Sequence, residues 1–257
     1  RFHDARKKQA KYSPRLLTVA SKFLASYSFA QNNSGHSRDY ALATIAHVCL
    51  CNEFGTEFAQ KISEHLVRLI GKAKIYASNF TDLFSTIART QPFVFLDVFL
   101  ENKMQTDGYS PFSTFRETFD ERNGFLDAIS DDDLISWCEI SPEPRYQLLA
   151  SVTKLFSRPA RDKEIELNRI VYLLFDKAPN SPIVLQHLVK SATPMSWGGS
   201  LAEIISKRAE LLKELFDHDN VEISSWSKEL YSVLQDQAKK EREDEEKRSR
   251  LNNERFE

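Results

Sequence analysis

The fold of this chain is decided by two adjacent stretches, SLAEIISKRAELLKELF at residues 200–216 and VEISSWSKELYSVLQDQAKK at residues 221–240. Ser200 followed by Glu203 forms a capping box, a pattern that starts many helices. Apolar residues then recur at steps of three and four, which places them on one helical face. They are Leu201, Ile204, Ile205, Leu211, Leu212, Leu215 and Phe216, then Val221, Trp226, Leu230 and Leu234. Because the polar turn DHDN at 217–220 is short, the sequence predicts two antiparallel neighbouring helices.

Composition extends the helical prediction to the whole chain. Its 257 residues include seven glycines, a residue that turns and phosphate-binding loops favour and helices avoid. The 41% of apolar and 28% of charged residues are ordinary for a soluble globular protein. A formal net charge of −2 provides no general field for nucleic acid, and no apolar run reaches the ~20 residues of a membrane span. We therefore expect an all-α, cytoplasmic protein without a membrane contact.

Local signals mark further helix starts along the chain. Ser-Pro pairs at 13–14, 141–142 and 181–182 supply a capping serine and a proline at the first helical position. Gly55 is expected to end the second helix and Thr56 to cap the third, while a later helix is expected at 161–176. Residues 103–124 are the least regular stretch. The acidic run at 131–133 precedes LISWCEI, where carboxylates stabilise a helix start more often than they bind a metal.

The spacing of these starts indicates a repeat. The Ser-Pro pairs at 141 and 181 are forty residues apart, and the turn at Asp219 and Asn220 lies a similar distance further on. One helix pair per forty residues is typical of an α-solenoid. In DHDNVEISSWSKEL, a leucine-rich helix, an Asp-Asn turn and a second helix with a tryptophan resemble a HEAT repeat. We expect an N-terminal helical region at 1–125, HEAT-like repeats at 126–240 and a charged tail at 241–257.

A second resemblance concerns the order of segments LLFDKAPNSP, TPMSWGGSLAEI, RAELL, HDN and tryptophan. This arrangement of segments is similar to that in the C-terminal helical regions of large bacterial multidomain proteins, some of which are associated with phage defence. In such proteins a helical region follows a nuclease-like or nucleotide-binding module, which would make this chain a sensor or recognition domain. The first residue, Arg1, and the linker-like composition of 1–12 also lead us to expect a part of a larger protein.

Motifs of catalysis and cofactor binding are missing from the sequence. It has no phosphate-binding glycine loop, no H-E-x-x-H, no paired C-x-x-C and no G-x-S-x-G. His47 with Cys49 and Cys51 is the one His/Cys cluster, and a metal there would need ligands from elsewhere, so buried free thiols are expected. We predict no enzyme, no cofactor and no metal; a cryptic helical nuclease, with its site assembled from distant residues, is an alternative.

These observations favour a non-catalytic scaffold that binds a protein partner, with nucleic-acid binding disfavoured. The candidate structural or interaction residues are Trp197, Ser200, Glu203 and Trp226. Trp197 is expected to plug the core between helices rather than lie exposed for binding. Trp226 is expected to face inward, so that its replacement by alanine would cost roughly 3–5 kcal/mol.

The charged tail is predicted to form a helix in solvent, supported by the pairs Glu243–Lys247 and Asp244–Arg248. The last dense apolar positions are Leu230, Val233 and Leu234, so packing is expected to stop near Gln235. Removal of residues 241–257 should then leave the melting temperature almost unchanged. A tail that serves as a contact arm for a partner is the alternative.

Overall fold

The structure, a computed structural model, describes residues 12–31, 36–51, 55–101, 124–157, 164–179, 181–194 and 197–254, without the side chains of 36, 37, 124 and 252–254. The irregular stretch expected at 103–124 lies outside these residues apart from Gly124. None of the helices in the described part of the chain combines the length and the apolar composition that crossing a bilayer requires.

The described chain is almost entirely helical, which confirms the all-α prediction. Its α-helices are α1 (Pro14–Ser26), α2 (His36–Leu50), α3 (Gly55–Gly71), α4 (Thr81–Thr90), α5 (Pro92–Leu96), α6 (Asp131–Glu139), α7 (Pro142–Val152), α8 (Arg169–Lys177), α9 (Ser181–Val189), α10 (Leu201–Leu211) and α11 (Val221–Glu254). A π-helical turn, Asp97–Glu101, extends α5, and 3₁₀ turns occur at Ala77–Phe80, Gly124–Ala128 and Leu212–Leu215. Two short strands, β1 (Phe156–Ser157) and β2 (Glu166–Leu167), pair antiparallel.

The chain divides into two compact units, with the boundary at Ile140 and Ser141. This point lies later in the chain than the expected boundary at 125. In the first unit, α2 packs on α4, α3 on α5 and α5 on α6. Phenylalanine rings fill its centre: Phe95 and Phe99 have centroids 4.8 Å apart, and Phe84 meets Phe99 edge-on at 5.3 Å. In the second unit, α7 packs on α9, α9 on α11, and α10 along α11.

Gly55 does not end α2 as the sequence predicted, because it is the first residue of α3. A β-carbon at this position would collide with the carbonyl oxygen of Leu50, so the backbone approach requires glycine. The same carbonyl accepts a hydrogen bond from Gln91 Nε2 at 2.9 Å, and Thr56 Oγ1 donates to Gln91 Oε1 at 3.0 Å. Thr56 therefore connects α3 to Gln91 by a side-chain hydrogen bond and does not cap α3.

The helix expected at 161–176 begins later, at Arg169. Glu166 and Leu167 are extended and pair with the strand at 156–157, so they cannot belong to a helix. Asn168 marks the change: its N–H donates to the Leu155 carbonyl at 3.0 Å, and its Oδ1 accepts from Ile170 N–H at 2.9 Å. Helical spacing of apolar residues continued across this cap, which is why the sequence predicted too early a start.

The acidic run at 131–133 lies in the first turn of α6, as the capping interpretation requires. The capping residue itself is Ser130, whose hydroxyl accepts a hydrogen bond from Asp133 N–H at 3.2 Å. Carboxylates in this turn face the positive end of the helix dipole and stabilise it.

Candidate interaction surface

The pair of helices α10 and α11 forms a continuous apolar seam. The buried apolar residues of α10 are Ala202, Ile205 and Ala209, and those of α11 are Ile223, Leu230, Leu234 and Ala238. Val221 was expected to join this seam, but its side chain is 76% exposed. It is the first residue of α11, and the first buried position of this helix comes two residues later, at Ile223.

Ser200 caps α10 as predicted, with its hydroxyl accepting a hydrogen bond from Glu203 N–H at 3.1 Å. The carboxylate that completes the cap is Glu245 of α11 rather than Glu203. Glu245 accepts hydrogen bonds from Ser200 Oγ at 2.7 Å, Leu201 N–H at 2.8 Å and Ala202 N–H at 3.2 Å. Three donors at a helix start thus converge on one carboxylate from 45 residues further along the chain.

The expectation that packing stops near Gln235 is therefore wrong. Ala238 is buried on the seam, and Glu245 binds the start of α10. The sequence did contain the signal, since Leu234, Ala238, Glu241 and Glu245 follow one another at steps of four, three and four. Spacing alone does not predict the contact, because two of these positions are glutamates, which ordinarily face solvent.

The tail's charged residues pair differently from the prediction. Lys247 Nζ lies 3.5 Å from Asp244 Oδ1, and an Arg248 guanidinium nitrogen lies 3.7 Å from Glu241 Oε2. Arg248 Nε also donates to the Asp244 carbonyl at 3.2 Å. These contacts run along α11 at the surface, where such ion pairs contribute little to stability.

Trp197 lies exposed and does not plug the core, which corrects the expectation from sequence. Its side chain is 52% exposed and lines an open groove of about 520 Å³. Leu201 lies in the same groove, and Leu251 on the far part of α11 is 61% exposed there. The remaining lining residues are charged: Glu241, Asp244, Lys247 and Arg248. We call this surface the Trp197 groove.

Trp226 is half-buried, with its ring meeting Phe175 edge-on at 5.9 Å between centroids. Its indole Nε1 is buried without a hydrogen-bond partner among the described residues. The exposed part of the ring lines a second, smaller groove of about 280 Å³, together with Pro182, Leu185, Gln186, Val189 and Glu222. Trp226 thus mainly packs against its neighbours, whereas Trp197 is more accessible to solvent.

Two titratable groups of the second unit, Glu245 and Tyr172, have pKa values that are shifted by their surroundings. Hydrogen bonds from Ser200 and from the backbone of Ala202 and Leu201 lower the pKa of Glu245, which keeps it a charged acceptor. Burial, and then the hydrogen bond to Glu214, raises the pKa of Tyr172 to about 12, which keeps it a donor at neutral pH.

The His47 and Cys51 pair in the first unit is close, with the sulfur 3.5 Å from Nδ1. Burial raises the pKa of Cys51, which disfavours the thiolate that a nucleophile or metal ligand requires. The pair lies at the C-terminal end of α2, where the helix dipole also opposes negative charge. Among the described residues, no group of three or more His, Cys, Asp or Glu side chains could hold a metal ion.

Comparison of the chain with protein-family models, with curated proteins and with solved structures finds no match. The two grooves of the second unit and the geometry around Glu245 are thus the basis for a functional hypothesis.

Proposed function

We propose that the chain is a non-catalytic, HEAT-like helical-repeat scaffold that binds a protein partner through the Trp197 groove. The observation that carries this proposal is the pairing of an exposed Trp197 with an exposed Leu251 across a groove with a charged rim. Tryptophan is among the residues most enriched at the energetic centres of protein interfaces.

Hydrogen bonds that join residues about forty positions apart support the repeat character. In the first unit, Asp39 accepts from the N–H groups of Asp82 and Leu83, 43 and 44 residues away. Trp137 Nε1 donates to Asp97 Oδ1 at 2.7 Å, 40 residues away. In a stack of equivalent helix pairs, such bonds connect matching positions of neighbouring repeats.

The same separation recurs in the second unit. Tyr172 donates to Glu214 across 42 residues at 2.9 Å, and Asn220 Nδ2 approaches Ser181 Oγ across 39 residues at 3.5 Å. Helix packing follows this period, since α7, α9 and α11 begin at Pro142, Ser181 and Val221 and pack in that order. Each of these helices packs on the helix that comes two places later in the chain, so together they form a layer of helices. Such layers form the surfaces on which repeat proteins bind partners.

The anatomy of the Trp197 groove fits a protein interface. Its apolar part is formed by Trp197, Leu201 and Leu251, and its rim carries two acidic and two basic residues. An apolar centre with a polar rim is the usual arrangement of such surfaces. Each rim charge lies within 3.7 Å of an opposite charge on α11, so the rim is close to neutral.

A photo-crosslinking amino acid at position 197 tests the proposal. A crosslinker at Val221, which is exposed in the same unit but outside the groove, is the matched control. We expect position 197, and not position 221, to capture a specific protein, which is then purified and titrated against the intact chain. Trp197→Ala should weaken that binding by about 2 kcal/mol or more, whereas Val221→Ala should not. Equal crosslinking at both positions, or equal binding by both variants, would contradict the proposal.

The defence-sensor and nuclease hypotheses remain predictions. Incubation of the purified chain with labelled RNA and DNA and a divalent metal tests the nuclease hypothesis directly. Cleavage that one Asp, Glu or His substitution abolishes would replace the scaffold proposal with an enzymatic one.

A further inference from the structure

The outer face of α1, in the first unit, carries an apolar stripe that is exposed in the part of the chain that the structure describes. Leu16 is 45% exposed, Val19 58% and Phe23 44%. Steps of three and four residues place all three along one edge of the helix. Ala20 and Leu24, on the adjoining face, are buried, so α1 is already anchored while this edge stays in solvent. A contiguous exposed apolar edge on an otherwise packed helix marks an interaction surface.

Positive charge follows the same edge. Arg15 and Lys22 are both exposed. Arg15 lies four residues before Val19 and Lys22 lies three residues after it, which places both beside the stripe. No Asp or Glu occurs in the sequence of α1, PRLLTVASKFLAS. Over residues 1–27 the sequence has seven Lys or Arg and one Asp, although the whole chain has a net charge of −2. Positive charge at this end of the chain is therefore largely unbalanced by acidic residues.

We propose that this edge of α1 docks on the surface of an anionic lipid bilayer, which revises the expectation from composition that the protein makes no membrane contact. Leu16, Val19 and Phe23 would enter the boundary between headgroups and acyl chains, as the apolar side chains of interfacial helices do. Arg15 and Lys22 would reach the lipid phosphates along their flexible stems. Such a contact lies on the membrane surface and needs no spanning segment.

Charge and shape favour this occupant over two others. A second copy of the chain would bring Arg15 and Lys22 against like charges, which opposes pairing of two α1 edges. A partner helix docks best into a groove between two helices, whereas these three side chains all project from one helix. A deformable anionic surface matches both the convex edge and its charge. This inference concerns the first unit and is independent of the Trp197 groove.

Co-sedimentation of the full chain with vesicles tests the inference. We expect binding to vesicles of phosphatidylcholine mixed with phosphatidylserine, weak binding to pure phosphatidylcholine, and a loss of binding as salt screens the charges. The triple variant Leu16→Gln, Val19→Gln, Phe23→Gln should bind at least about tenfold more weakly, because glutamine keeps the helix but removes the apolar edge. Arg15→Glu with Lys22→Glu should cause a similar loss.

Two matched variants control for general effects. Lys72→Glu with Lys74→Glu makes the same change in charge at exposed positions of the same unit, and Tyr76→Gln removes an exposed aromatic elsewhere. Both should bind like the parent chain. A single Val19→Gln change, which is least able to disturb folding, should give an intermediate loss.

Three results would overturn the inference. They are no binding to the phosphatidylserine vesicles, equal binding to pure phosphatidylcholine, and an equal loss in the control variants. Binding to poly-glutamate as tight as to vesicles, and lost in the same α1 variants, would assign this edge to an acidic polypeptide instead and would also overturn it.

Discussion

At the scale of single residues, Trp226 faces inward as the sequence predicted, but its side chain is less buried than the sequence predicted. The sequence predicted an inward tryptophan, and the structure places its ring against Phe175 but leaves part of it in a groove. Its buried Nε1 has no acceptor among the described residues, which costs free energy that phenylalanine would not cost.

We therefore expect Trp226→Phe to leave the free energy of unfolding within about 1 kcal/mol of the parent chain, because most of the packing is kept and the unpaired donor is removed. Trp226→Ala should cost about 2–4 kcal/mol, toward the lower end for a buried aromatic. Urea unfolding followed by circular dichroism measures both. A loss above about 2 kcal/mol in the phenylalanine variant would show that Nε1 is hydrogen-bonded after all.

Glu245 stabilises the start of α10 as a charged hydrogen-bond acceptor. Hydrogen bonds from Ser200, Ala202 and Leu201 hold its pKa below the ordinary value of 4.5. A carboxyl group whose pKa is lower in the folded state stabilises the fold fully above the unfolded-state pKa. That contribution is lost as the pH falls through the folded-state pKa.

Glu245→Gln should accordingly lower the stability at neutral pH, by at most about 1 kcal/mol because the group is largely solvated. The difference from the parent chain should shrink as the pH falls below 4.5. Glu246→Gln, which removes only the 3.7 Å pair with Arg250 from the same helix, is the control and should have a smaller effect. Urea midpoints across the pH range measure this, and a difference that grows toward acid pH would contradict the assigned role.

At the scale of elements, α11 is one helix with two different parts. Its first half is buried on α10 through Ile223, Leu230 and Leu234, and its second half is mostly solvated. Glu245 connects the solvated half to the start of α10, so the tail contributes to stability without a dense apolar face. The helix continues to Glu254 with the help of charged pairs three and four residues apart.

Two truncations separate these contributions. Deletion of residues 249–257 keeps Glu245 and should leave the melting temperature close to that of the full chain. Deletion of residues 241–257 removes the cap of α10 and should lower it by about 2–4 °C. Differential scanning calorimetry measures both. Equal melting temperatures of the two truncated chains would contradict the stabilising role of Glu245.

At the scale of the whole molecule, the chain consists of two units whose helices pack mostly within each unit. In the second unit, α7, α9 and α11 pack in succession and α10 lies along α11. These contacts bury enough of every helix that the unit should fold by itself.

We expect a fragment of residues 141–257 to show a helical far-ultraviolet spectrum and a single cooperative unfolding transition. A fragment of residues 200–257, which keeps α10 and α11 but loses the layer formed by α7 and α9, should unfold without cooperativity because one helix pair cannot bury its apolar face alone. A fragment 141–257 that lacks a cooperative transition would show that it depends on the first unit.

The sequence by itself determined the helical class, the helix starts near residues 14, 142 and 181 and the turn at 217–220, because proline geometry, capping chemistry and apolar spacing act between residues a few positions apart. Of the three predicted capping serines, Ser13 alone accepts a capping hydrogen bond, since Ser141 makes none and Ser181 is already the first residue of its helix. Only the tertiary structure decided the roles of Gly55, Trp197 and Glu245. Each of these roles depends on residues from another element. The Leu50 carbonyl approaches Gly55, residues of α11 line the groove beside Trp197, and the start of α10 meets Glu245. Spacing along one helix identifies which face is buried, but it does not identify the residues that meet that face from elsewhere in the chain.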